Sequence, residues 1–273
     1  RSTLFPYTTL FRSQPLVFFP LYPFLVASLS WFLPLSPAVC ALILSNLFLL
    51  AALLVGINYY ALTRLPKDAN PTWKEKIKVS LPLIFLFCFG FNSFYFSLIY
   101  PESLWLLLVA SGFYLLERHQ YYYAGLVGLL LSATNPLGIF FSLLLIGVYT
   151  RSYLQRQFTL ASRWHFFAHV LFLFLLSSGG FWLYSLFLFM TTGDVFAYLK
   201  AQAAWGSRFL IYVNSLHADY TLAQIWWLSL VGIIGFYLLL WAMRRQHRYK
   251  EIVFAAICLF LPLSSSLWSL PRQ

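Results

Sequence analysis

Apolar runs close to twenty residues long, cut by short polar breaks, constrain this chain more than any other feature. They fall at 16–33, 38–63, 80–99, 104–116, 121–150, 165–191, 225–243 and 252–270. A helix needs about 20 such residues to cross a hydrocarbon layer, where each backbone N–H and C=O must be paired within its own segment. Only 9% of the residues are charged and 61% are hydrophobic, with a mean hydropathy of +0.77. A soluble domain carries about 25% charged residues. The chain therefore reads as an all-α, polytopic helical membrane protein whose surroundings are a lipid bilayer. Its net charge of +11 does not call for nucleic acid, because the placement of the basic residues explains it. Cys40, Cys88 and Cys258 lie inside apolar runs without paired or metal-ligand spacing, so they read as small apolar residues.

The polar breaks give the topology. Residues 64–78 hold Arg64, Lys67, Lys74, Lys76 and Lys78. Arg118, then Arg151, Arg156 and Arg163, then Arg244, Arg245, Arg248 and Lys250 mark the later basic points. The intervening breaks hold only Lys200, Arg208 and Arg272. By the positive-inside rule the first group is cytoplasmic and the second extracytoplasmic. The run 38–63 then goes inward, 80–99 outward and 104–116 inward. The run 121–150 has basic flanks on both sides, is long for one crossing, and is interrupted by Thr134-Asn135-Pro136-Leu137-Gly138. Pro136 removes a backbone donor and turns Asn135 away from helix, so the spacing predicts two short helices joined at an outer turn. Proline-rich Phe18–Pro23 makes 16–33 either an outer loop leading into an interfacial helix, the favoured reading, or a span that begins inside. Asp194 to Trp205 has helical spacing and reads as a second interfacial helix, opened by Asp194 and closed by Gly206.

The ends carry separate expectations. Residues 3–13 read as the translation of a common sequencing adapter, so 1–13 is set aside as a non-native tail. Native sequence is expected from about Gln14, and 14–273 is expected to be one incomplete transmembrane domain, an internal fragment of a longer product.

Glu102 is the leading candidate for function. It lies in Tyr100-Pro101-Glu102-Ser103-Leu104, between two apolar runs and, by the charge pattern, on the outer face. A carboxylate so close to a bilayer is costly, which marks it for function. The competing reading is a Glu102-Ser103 cap on the following helix. His165 and His169 have the i, i+4 spacing of a metal pair, but no carboxylate accompanies them and helix packing is the better account. Gly179-Gly180 reads as a close helix contact or kink.

Three strings suggest a family. Phe91 to Leu104, with Asn92, Phe94-Tyr95-Phe96-Ser97 and Tyr100-Pro101-Glu102-Ser103-Leu104, resembles a motif of the PIG-V mannosyltransferases. Phe196 to Gly206, with Ala201-Gln202 and Trp205-Gly206, is similar to a second. Phe18–Pro23 and Ser269–Arg272 resemble further strings of that family. The resemblance implies a GT-C-like bundle with short broken helices. It implies a transferase using a polyprenyl-phosphate sugar, typically dolichyl-phosphate mannose, on the extracytoplasmic side, with inversion. The donor is a substrate, so no cofactor is expected, and the acceptor is a glycolipid or glycan. The setting would be a bacterial plasma membrane, or the endoplasmic reticulum membrane in a eukaryote.

Within that resemblance Glu102 is a substrate-orienting acid, and Tyr100, Asn135, Gln202, Trp205 and Arg272 are substrate-binding candidates. The family's usual base lies in an outer loop before the position of Phe18, where the adapter-like tail stands, so the chain as it begins here is expected to be inactive. The sequence also departs from the family at Asn135, where an Arg is usual. Two other classes stay open. A transporter or flippase would place charges deep in spans and show pseudo-symmetric halves. A non-catalytic membrane subunit would leave these residues to packing and capping.

Overall fold

A computed structural model describes residues 19–66, 70–89, 96–155 and 162–198. Two compact units divide the chain, Phe18–Phe187 and a second that includes everything from Leu188 onward. The first contains α1 (Leu21–Phe32), α2 (Pro37–Arg64), α3 (Trp73–Phe89), α4 (Glu102–Glu117), α5 (Tyr121–Thr134), a single 3-10 turn (Pro136–Gly138), α6 (Ile139–Leu154) and most of α7 (Ser162–Thr192). There is no strand among the described residues. The fold is all-α and polytopic, and three helical stretches, Pro37–Arg64, Pro136–Leu154 and Trp164–Thr192, are long and apolar enough to span a membrane. The expected spans 225–243 and 252–270 lie outside the described residues.

Local chemistry sets the boundaries. Pro20, Pro23, Pro37 and Pro136 all sit at or near helix starts, where a missing N–H costs nothing. Leu33 and Leu65 are extended because a proline follows each. The 12 residues of α1 reach about 18 Å, short of a crossing. The string Phe18–Pro23 is not wholly a loop, however: Leu21, Tyr22 and Pro23 form the first turn of α1.

Two further boundaries differ from expectation. The run 80–99 is not one helix. It belongs to α3 as far as Phe89, and Leu98 to Tyr100 form a bend. At its other end α3 begins at Trp73, so Lys74, Lys76 and Lys78 stand on the helix instead of in a linker. The cause is a reciprocal cap. The Thr72 amide and hydroxyl donate to Glu75 Oε2 at 2.7 and 3.0 Å, and the Glu75 amide donates back to Thr72 Oγ1 at 3.4 Å. That cap starts the helix well before the apolar residues do.

Neighbouring helices are registered by small residues and hydroxyls. On α2 the buried small residues Ala41, Ser45, Ala52 and Gly56 share one narrow face, and both α4 and α3 pack on α2, with Gly56 against Leu83 of α3. Ser80 donates to the Ile57 carbonyl at 3.4 Å and Lys76 Nζ to Asn58 Oδ1 at 2.9 Å, which fixes α3 antiparallel to α2. The α4–α5 corner closes with His119 at φ +58°: the Gln120 amide bonds the Leu115 carbonyl and the His119 amide that of Leu116.

The run 121–150 is broken as its proline predicted. Asn135 Oδ1 accepts from the Leu137 amide at 2.9 Å, and Gly138 lies so close to α5 that a Cβ there would stand 2.5 Å from the Leu131 carbonyl. The turn thus folds α6 back along α5. The Gly179-Gly180 pair is the expected close contact. Ser132 of α5 accepts from the Phe181 amide at 3.3 Å, and its one proton is shared between the Ser177 carbonyl, at 3.1 Å, and that of Leu129, at 3.0 Å. Its hydroxyl so bonds an amide and a carbonyl four residues apart on α7.

The bundle's two ends carry different charge. Arg64, Lys74, Lys76, Lys78, Arg118, Arg151 and Arg163 are the Lys and Arg of the described residues, and all stand at one end. Contacts between Tyr59 and Phe113, Tyr121 and Ser152, and Tyr153 and Phe166 bring these helix ends together. Glu102 is at the opposite end.

Candidate functional site

Four chain segments meet around Glu102. Leu98 to Tyr100 form a tight bend, the Tyr100 amide bonding the Leu98 carbonyl at 2.8 Å, and Pro101 then starts α4. Two polar residues of α2 hold this bend: Ser45 donates to the Tyr100 carbonyl and Asn46 to the Ser97 carbonyl, each at 3.4 Å. Tyr22, in the first turn of α1, reaches the same spot. Its hydroxyl is 2.8 Å from Ser45 Oγ and 3.2 Å from the Ala41 carbonyl.

Counting protons shows what this cluster can do. Tyr22 and Ser45 bring one hydrogen each. Their mutual bond uses one, so the remaining hydrogen serves either the Ala41 or the Tyr100 carbonyl. Burial lifts the Tyr22 hydroxyl above the usual phenol range. The bond to Ser45 pulls it down, and the nearby Glu102 charge pushes it up again. Tyr22 therefore stays protonated, a neutral donor beside an acid.

Glu102 itself occupies the first helical position of α4, with Pro101 at the cap. Glu102 and Ser103 open α4 as the competing reading expects, though no side chain caps the helix at Pro101. Pro101 has no side-chain acceptor to offer, and the Ser103 hydroxyl is buried without a hydrogen-bond partner. A carboxylate in the first turn does complement the helix dipole. Glu102 Oε2 is nonetheless closed off from solvent. The arrangement offers one acid, one neutral phenol and a hydroxyl, enough to orient or deprotonate an incoming hydroxyl group.

The remaining candidates divide. Tyr100 adjoins the cluster through its backbone. Asn135 sits in the turn at the same end of the bundle, with its side-chain carbonyl committed to the Leu137 amide. Gln202, Trp205 and Arg272 lie outside the described residues. Asp194 opens a turn as expected, accepting from the Phe196 amide at 2.9 Å, but the helix expected to follow is described only as far as Tyr198. His169 bonds the His165 carbonyl through Nδ1 at 2.6 Å and packs on Tyr122. Among the described residues no three His, Cys, Asp or Glu converge on a metal-sized site.

Sequence reasoning missed Tyr22 and Ser45 as site residues. The signal for Ser45 was present: Ser45-Asn46 is the one polar pair between Ala38 and Ile57. Tyr22 was hidden because its string read as loop.

No known protein family, curated protein or solved structure matches the chain.

Proposed function

We propose that the chain is a membrane glycosyltransferase of the PIG-V kind. It moves a hexose, with mannose the first candidate, from a polyprenyl-phosphate sugar to a glycolipid or glycan acceptor. One observation supports this reading above others. Two strings that resemble that family, Phe18–Pro23 and Phe91–Leu104, are some 80 residues apart in the chain, yet Tyr22 and Glu102 meet across Ser45.

In the proposed reaction the acceptor oxygen attacks the anomeric carbon. The bond from that carbon to the phosphate oxygen breaks, and polyprenyl phosphate leaves with the electron pair. The acceptor proton passes to a base, and Glu102 orients the sugar or acceptor hydroxyl. Cations are required for the leaving phosphate, and Arg272, Lys200 and Arg208 are the candidates. The basic end of the bundle would face the cytoplasm and the Glu102 end the lumen or exterior.

The test is transfer from polyprenyl-phosphate mannose to glycolipid acceptors in membranes that hold the protein. Glu102→Gln is expected to lower transfer by about 10²-fold while membrane insertion is unchanged. Full activity in that variant would return Glu102 to a helix-dipole role. Lipid scrambling without sugar transfer would favour the flippase reading instead.

A further inference from the structure

The outer face of α3 has a pattern that neither packing nor the proposed reaction uses. Lys74 and Lys78 are one turn apart and both exposed. Leu81 and Phe85 follow at helical spacing on the same face, 54% and 67% exposed. At 100° per residue the four side chains fall within about 60° of arc, and they cover about 17 Å along the axis. Trp73, 46% exposed, stands beside the first lysine.

Among the described residues of α3 no acid falls within this arc. Glu75, the neighbouring acid, stands more than a quarter turn from Lys74, with its Oε2 accepting from Thr72 in the cap. Lys76 points the other way, toward Asn58 of α2. Two ammonium groups at the basic end thus lead directly into an apolar track of acyl-chain dimensions.

We infer that this face of α3 binds an anionic phospholipid of the leaflet at the basic end. The phosphate of the headgroup would lie on Lys74 and Lys78 and one chain along Leu81 and Phe85. Each lysine near an anionic surface contributes about fivefold in affinity, so the pair contributes about 25-fold. A zwitterionic lipid offers the same chains without the net charge and gains little from the lysines. The inference does not depend on the glycosyltransferase reading.

The experiment uses the full chain in neutral detergent micelles, titrated with phosphatidylglycerol or phosphatidylcholine and followed by thermal unfolding and native mass spectrometry. Phosphatidylglycerol is expected to raise the unfolding temperature and remain bound, with phosphatidylcholine much weaker. Lys74→Gln with Lys78→Gln should weaken phosphatidylglycerol by about 25-fold, and the double Arg variant should restore it. Both positions are exposed, so these exchanges leave the fold intact, and Arg118→Gln serves as the control that retains binding. Equal binding of the two lipids, or no change in the double Gln variant, would overturn the inference. Displacement of the lipid by millimolar inorganic phosphate would also overturn it, since the site would then take free phosphate.

Discussion

Replacing Gly180 by alanine should destabilise the protein, whereas the same change at Gly147 should not. Both glycines are in helix interiors, where alanine is the better helix former by up to about 1 kcal/mol. They differ in what the new methyl group meets. At Gly147 nothing lies within 4 Å. At Gly180 the Cβ would collide with the Leu129 carbonyl oxygen and stand 2.6 Å from the Ala133 amide nitrogen and 2.7 Å from its Cβ. Two of those atoms are backbone, so α5 and α7 must separate. Overpacking of this sort costs about 1–3 kcal/mol. Separation also strains the two bonds that Ser132 makes into α7, worth about 0.6 kcal/mol each in a membrane setting. Against a propensity gain of about 1 kcal/mol, the net loss at Gly180 is about 1–3 kcal/mol. Reversible unfolding in mixed micelles, followed by circular dichroism, measures both variants against the parent. A Gly180→Ala protein as stable as the parent, or the same sign at both positions, would refute the claim that α5 and α7 touch backbone to backbone.

Two more perturbations probe the ends of the bundle. Because the Tyr22 hydroxyl titrates higher in the folded than in the unfolded state, the unfolded chain loses its proton first. Stability from this group is complete below the unfolded value near 10 and declines as pH rises from there through the folded value. Tyr22→Phe should flatten that alkaline decline, measured as unfolding midpoint against pH. At the other end, His119 holds φ +58° to close α4. His119→Val should cost about 1–3 kcal/mol, because a β-branched residue is strained there, while His119→Gly stays within about 1 kcal/mol of the parent in the same micelle assay.

The helices were legible in the sequence because membrane-length apolar runs have few other solutions. The break at Asn135–Gly138 was legible for an equally local reason, since Pro136 cannot continue the ladder. What escaped was decided by side-chain hydrogen bonds. Thr72 and Glu75 extend α3 into residues whose charge suggested a linker. Tyr22 became helical because prolines at 20 and 23 fit a first turn as readily as a loop. The Tyr22–Ser45 contact joins residues 23 apart, and no periodicity along one helix announces a hydroxyl pairing between two.

The helix dipole alone does not account for Glu102. A first-turn acid contributes about 0.3–1 kcal/mol when it is exposed, and it needs no burial to do so. Here Oε2 is closed off from solvent and the carboxylate sits beside a buried phenol whose ionisation it opposes. The half-buried placement is therefore not something the helix dipole requires. A chain selected for a stable α4 would do as well with serine or aspartate pointing into solvent. The bend that carries this acid is instead tied to α2 by Ser45 and Asn46, the polar pair in an otherwise apolar stretch. Such a tether fixes where the carboxylate stands, and fixed position is what an acid needs in order to orient a reacting hydroxyl.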